Sequence, residues 1–229
     1  MKRTTLMAAA IAATIAGITL ATVTGCAAGA TATTPAANHN ATDTAAEHVL
    51  VRGPDPYEFL PKVPSFRLTS QTVRNGRPLP IAQLSGILGV PGGKDISPQL
   101  SWSGFPAATK SFVVSMYDPQ APTGSGFWHW IVGDIPVATT SLPAGAGVPG
   151  SPSLPSPAFQ LNGDAGAPRY IGGAPPKGSG VHDYYITVTA LDVPATGVPA
   201  TASGALLGFT IDAHTIARAT LICPTSAGE

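Results

Sequence analysis

From about residue 65 onward, short apolar runs of β-type residues alternate with turn clusters rich in Pro and Gly. In the run Ser111 to Asp118, Phe112, Val114, Met116 and Asp118 share one face by the two-residue period of a strand. Trp128 to Ile135 is a second run, in which Phe127, His129 and Ile131 oppose Trp128, Trp130 and Val132. Tyr184 to Asp192 shows little alternation, as in a strand covered on both faces. Leu100 to Trp102, FRLTS at 66–70 and Ala219 to Cys223 complete the strand set, and Asn75-Gly76-Arg77-Pro78 marks a turn. Helical signals appear only late in the chain. Ser203 can cap a turn through Ala205–Leu207, and Thr210 or Asp212 can cap a second helix through His214–Arg218. The strand–helix alternation of a parallel sheet is missing, and there is no internal repeat. The pattern predicts a mostly β, sandwich-like domain with a short C-terminal helical segment.

The N-terminus follows a different pattern. Lys2 and Arg3 precede an Ala-rich apolar stretch from Leu6 to Val23, and Val23-Thr24-Gly25-Cys26 closes it. A basic start, an apolar centre and small residues before a cut are the parts of an export signal. A Cys directly after small residues looks like a lipoprotein processing site, with residues 1–25 removed and Cys26 acylated as the mature N-terminus. Ordinary cleavage within the Ala-rich run is the alternative. A permanent transmembrane helix is the weakest reading, because the stretch is rich in Ala and Thr and barely long enough. Residues 26–64 read as a tether, since Ala27 to Glu47 holds almost no large apolar side chain to offset ordering entropy. The compact domain is expected at 65–229, which at about 165 residues is enough for one core. These features place the protein at the cell membrane on its extracytoplasmic side, held by a lipid anchor.

Composition narrows the function. Twelve basic residues balance twelve acidic ones, and charged residues make up 10% of the chain, against about 25% in typical domains. With no basic run beyond the signal, nucleic acid is not a partner and no polybasic patch addresses acidic lipids. If Cys26 is acylated, Cys223 is the one remaining thiol and no internal disulfide can form. Its simplest role is that of a small buried hydrophobe in a strand. Between Pro143 and Pro168 lie six prolines and several glycines over roughly 25 residues, either a functional lid or a permissive surface insertion.

Candidate chemistry gathers in three segments: YDPQAP at 117–122, FWHWIV at 127–132 and GGAPPKGSGVHDYY at 172–185. Two of the five histidines fall in them. Asp118 ends a strand before Pro119, and a carboxylate there can hold an imidazole in one tautomer. His129 lies in an aromatic and aliphatic strand, where an imidazole is costly unless hydrogen-bonded. His182 follows a turn holding Gly178, Gly180, Pro175 and Pro176, a composition that lets backbone approach a ligand closely. Each histidine alone reads as structural; as a set they suggest a small anion site.

In these segments the sequence resembles the phosphatidylethanolamine-binding protein family, in its bacterial Raf kinase inhibitor-like branch. The family reads DPDAP, then W-H or H-W, then PPKGxGxHRY. The likeness extends to GKDISPQLSWSGFP, ending at Pro106, and to IDAHTIARATLI at 211–222. It implies an antiparallel β-sandwich whose small pocket takes phosphate-like anions, including phospholipid head groups. Carried over residue by residue, the pocket roles fall on Asp118, His129 and His182. Tyr184 matches the aromatic after the last motif, Pro175 the wall proline and Phe127 the aromatic at the mouth. Two positions depart from the pattern: Gln120 stands for the second Asp, and Asp183 for the Arg after His, so the guanidinium is lost.

The expectation is a non-enzymatic binding module for a small anion or phospholipid head group, with no cofactor and no metal. Inhibition of an extracellular protease, or binding of another extracellular protein partner, is the alternative. A third reading uses Asp118, His129 and His182 as a metal facet or an acid–base pair. Against it, no Ser or Cys nucleophile is expected beside them in the three motifs, and no HExxH, GxSxG or Walker signature occurs.

Overall fold

The computed structural model describes residues 55–227. The predicted export signal, Cys26 and the predicted tether up to residue 54 lie outside the described residues.

The mostly β expectation holds. The strands are β1 (Arg67–Thr69), β2 (Leu100–Ser103), β3 (Ser111–Asp118), β4 (Phe127–Pro136), β5 (Ser141–Leu142), β6 (Phe159–Gln160), β7 (Val181–Leu191) and β8 (Thr215–Ser226). One helix, α1 (Gly204–Ile211), precedes β8. Two sheets form, ordered β1-β2-β5 and β6-β4-β3-β7-β8, and every strand pair in them is antiparallel.

Alternation explains why both faces of the larger sheet are covered. Phe112, Val114 and Met116 of β3, with Tyr184, Ile186 and Val188 of β7, point toward the small sheet and pack with Leu100, Trp102 and Leu142. Val113 and Ile131, on the other face, pack with Leu161, Leu207 and Ile211 around α1. Burial through Leu191 at the end of β7 accounts for its unbroken apolar character.

The short turn predicted from Ser203 is α1, and the Ser203 hydroxyl accepts from the Leu206 N–H at 3.1 Å, capping one of the helix's orphan donors. The second predicted helix is corrected. After a 3₁₀ turn at Asp212–His214 the chain enters β8, so Thr215–Arg218 is strand. Pairing along β7, from Leu191↔Thr215 to Val181↔Ser226, supplies those backbone partners instead.

The Pro/Gly-rich stretch is not a lid over the candidate site. It runs along the β4 edge, where β6 pairs through Val132↔Gln160 and Gly133↔Phe159. The Gln160 side chain ties it down, accepting from Trp130 Nε1 at 2.8 Å and donating to Val148 O at 2.9 Å. Covering that edge satisfies backbone groups that would otherwise invite pairing with another chain. Within the stretch read as tether, Tyr57 packs onto the sheet. Its hydroxyl donates to Thr187 Oγ1 at 2.9 Å, its ring meets Tyr185 edge-on, and Arg218 lies 4.7 Å above it.

Candidate functional site

The site forms where β3, β4 and β7 end together. Asp118 closes β3 on the face of Phe112, Val114 and Met116. His182 and Tyr184 reach the same face of β7 by the two-residue period. His182 is thus the second residue of the strand and not part of the preceding turn.

His129 arrives by a different route. Met116 pairs with Trp130 and Tyr117 with Trp128, so His129 is an extra residue bulged out of the ladder. Strict alternation would set His129 with Ile131, on the α1 side. The bulge instead turns it toward Tyr184, 5.2 Å between ring centroids, and Phe127, 4.7 Å. Trp130 keeps its place in the main core. The predicted grouping of residues 127–132 by alternation is corrected on this account.

A cavity of about 140 Å³ results, with Asp118, Phe127, His129, His182 and Tyr184 in its lining. Of the six residues proposed to hold ligand, only Pro175 is missing; the wall proline is Pro176. Leu88, Ala121, Pro122 and Thr123 complete much of the wall.

Hydrogen-bond partners set the state of each group. His129 Nδ1 donates to Ile171 O at 3.0 Å, which leaves Nε2 with its lone pair. Burial pushes the imidazole down to about 4, against the smaller opposing pull of the Asp118 charge. His129 is therefore a neutral acceptor at ordinary pH. The Tyr184 hydroxyl accepts from the Ala174 N–H at 3.1 Å. Its acidity is suppressed by burial and then by the Asp118 carboxylate, so it keeps its proton. Asp118 accepts from the Gln120 N–H at 2.9 Å and from His182 Nδ1 at 2.7 Å. The opposite imidazole nitrogen, Nε2, lies 2.8 Å from Ser179 Oγ.

Ser179 corrects the expectation that no nucleophile accompanies the trio. It lies inside the third motif, and only the fold of the 176–180 turn brings its hydroxyl to His182. Gln120 and Asp183 meet through main chain, with Gln120 Oε1 accepting from the Asp183 N–H at 3.0 Å. The Gln120 side chain thereby links the loop after β3 to the start of β7.

Asp95 was not foreseen. Its carboxylate accepts from the Gly172 N–H at 2.8 Å and the Ile87 N–H at 3.0 Å, joining the 86–93 loop to the wall that carries Ala174. Burial disfavours its charge, but the Gly172 N–H, the Ser85 hydroxyl and the Ile87 N–H together hold the carboxyl below its usual range. Its φ of 52° lies in the left-handed region, which Asp tolerates better than most residues, so the Asp of GKD was at most a weak signal of a turn.

Among the described residues, no group of three or more His, Cys, Asp or Glu side chains is arranged to hold a metal ion. A larger apolar groove, about 1010 Å³, lies on the α1 side of the big sheet, with Val113, Ser115 and Thr189 in its lining. None of the six proposed ligand residues lines it.

A two-sheet sandwich with a small cavity at the strand ends, ringed by one carboxylate and two imidazoles, defines a ligand-binding fold. The phosphatidylethanolamine-binding protein family model matches residues 69–225, and the chain belongs to that family. UPF0098 protein YbhB of Escherichia coli (strain K12) is 44% identical over 156 residues, covering 68% of this chain and 97% of the relative. The crystal structure of E. coli YbcL, presented as a new member of the mammalian PEBP family, matches with a TM-score of 0.69 and 40% identity. That match covers 72% of this chain and 99% of YbcL. A Mycobacterium tuberculosis protein provisionally named as a lipoprotein, LppC, is 30% identical over 146 residues, covering 61% of this chain and 65% of LppC.

Proposed function

We propose that the chain is a lipid-anchored, extracytoplasmic binding protein whose cavity takes a small oxyanion, either free phosphate or a phosphoryl head group. The observation that carries this reading is the cavity itself: about 140 Å³, room for a few heavy atoms, lined by Asp118, His129, His182 and Tyr184. Binding alone accounts for it, with no covalent step. The likeness to LppC and the lipoprotein-like sequence Val23-Thr24-Gly25-Cys26 support the anchor.

The groups in the cavity define which form of the ligand fits. His129 Nε2 accepts and Asp118 is an acceptor-rich neighbour, so a ligand that carries a proton on oxygen is favoured over a fully ionised one. A phosphoryl group with a second pKa of about 6 gains that proton as pH falls. Affinity should therefore rise on acidification because the ligand, not His129, is protonated. With no guanidinium supplied by residue 183, binding should be weak, high micromolar to millimolar, or roughly 4–6 kcal/mol.

Calorimetry on the full chain in detergent, titrated with inorganic phosphate and with phosphoethanolamine from pH 5.5 to 8, tests this. The expected result is affinity for both that grows toward pH 5.5 and falls in His129→Ala. No measurable binding, or binding indifferent to pH and to His129→Ala, refutes it.

A further inference from the structure

His182 takes part in a hydrogen-bonded chain that ligand binding does not require. Asp118 Oδ2 and His182 Nδ1 are 2.7 Å apart, and His182 Nε2 and Ser179 Oγ 2.8 Å. An ionised carboxylate only accepts, so Nδ1 holds the proton facing Asp118 and Nε2 is left to serve as a base toward the serine. The order carboxylate, imidazole, hydroxyl is that of an acyl-transfer triad, recognised by geometry and not by sequence position. Here it is assembled from β3, β7 and the turn that leads into β7.

Exposure is divided as nucleophilic chemistry requires. Asp118 and His182 are 3% and 1% exposed, whereas Ser179 stands in solvent. The base and the group that orients it are shielded from water, and the nucleophile is reachable. Gly178 and Gly180 flank the serine at φ of 81° and 85°, left-handed conformations that turn the loop tightly and leave no side chain beside the hydroxyl. Ser179 Oγ is also 2.7 Å from Pro176 O. Its single hydrogen can turn to that carbonyl, leaving the Nε2 lone pair unused, or to Nε2 as the attack demands. Both of its partners, Pro176 and His182, line the cavity while Ser179 itself does not, so the hydroxyl lies just behind the lining.

We propose that Ser179 is an acyl-accepting nucleophile and that Asp118, His182 and Ser179 hydrolyse short-chain carboxylic esters. This goes beyond the binding reading and stands without it. Ser179 Oγ bonds to the ester carbonyl carbon as its proton passes to His182 Nε2, and the carbonyl π pair moves to oxygen. When that pair returns, the bond to the alcohol oxygen breaks and the leaving alkoxide takes the proton from Nε2. Water then attacks the acyl-serine, gives a proton to Nε2, and Ser179 recovers it as the carboxylic acid departs. Leu88, Ala121, Pro122 and Phe127 give the cavity apolar wall, and about 140 Å³ limits it to a short acyl group.

The full chain, purified in detergent, is treated with a fluorophosphonate probe and the adduct located by peptide mass spectrometry. The expected result is a single adduct on Ser179, formed at least tenfold more slowly in His182→Gln and not at all in Ser179→Ala. In parallel, p-nitrophenyl acetate turnover should be lost in Ser179→Ala, a change at an exposed position that keeps the circular dichroism spectrum of the folded wild type. No adduct, an adduct elsewhere, or ester turnover unchanged in Ser179→Ala overturns the proposal.

Discussion

Burial, more than proximity to a carboxylate, decides what His129 does. With its imidazole held near 4, the folded protein resists a proton that the unfolded chain takes up near 6.5. Because the folded value is the lower one, the associated stability is present in full above about 6.5 and is lost as pH falls toward 4. The loss is on the order of 3 kcal/mol by linkage. Urea unfolding at pH 7, 5.5 and 4.5 should show the midpoint falling across that window, and His129→Gln should flatten the fall. Asp95 works in the same direction further down. Its contribution exists above its usual range and disappears as pH drops through its lowered folded value. Asp95→Asn should cost about 1.5–3 kcal/mol at pH 7 by weakening the charge-assisted bonds to Gly172 and Ile87. Asp118, His182 and Tyr184 share one sheet face in the structure, whereas the sequence grouped them only through the family motifs. The orientation of His129 was not, because one unpaired residue in a ladder leaves no trace in alternation.

At the scale of elements, α1 is held by one cap and one close approach. Ser203→Ala should cost about 1 kcal/mol, read as a lower melting temperature, because the Leu206 N–H loses its acceptor. Gly204 lies against Trp128, where an added Cβ would come within 2.6 Å of the indole. The wall of the cavity is tighter still. A Cβ on Gly172 would stand 2.3 Å from the Leu84 carbonyl carbon and 2.5 Å from Ser85 N, both backbone atoms that cannot swing aside. Gly172→Ala should therefore destabilise by about 1–3 kcal/mol through overpacking and, by displacing the Ala174 wall, weaken phosphate binding in the same calorimetric titration. Strand identity was read correctly wherever β-branched and aromatic residues cluster. The error at Thr215–Arg218 has a local cause, since Thr210 and Asp212 are sound helix caps and nothing nearby in sequence announces the eleven-residue β7 that pairs there.

For the whole molecule, two attachments matter, one to the sheet and one proposed to the membrane. Tyr57 clips the segment before β1 onto β7 and β8. Tyr57→Ala should cost about 2 kcal/mol in urea unfolding, through the lost Thr187 bond, the Arg218 stacking and aromatic burial. If Cys26 carries the anchor, Cys26→Ala should move the protein from the membrane fraction to the soluble one or leave the signal uncleaved, as read by fractionation and intact mass. An unmodified Cys26 in the mature wild-type chain would refute that. By itself the sequence determined the fold class, most strands, the cap of α1 and the set Asp118, His129 and His182. These rest on two-residue periodicity, turn chemistry and short motifs, all of which are local. The tertiary structure decided what those residues do. It committed His129 Nδ1 to Ile171, put Pro176 and not Pro175 on the cavity, and tied Asp95 to Gly172 across 77 positions. It also set Ser179 against His182. The bonds to Ile171 and Gly172 depend on segments that meet only after the chain has packed, and the placing of Pro176 and Ser179 on the path of a single turn, neither of which a pattern of residue types encodes.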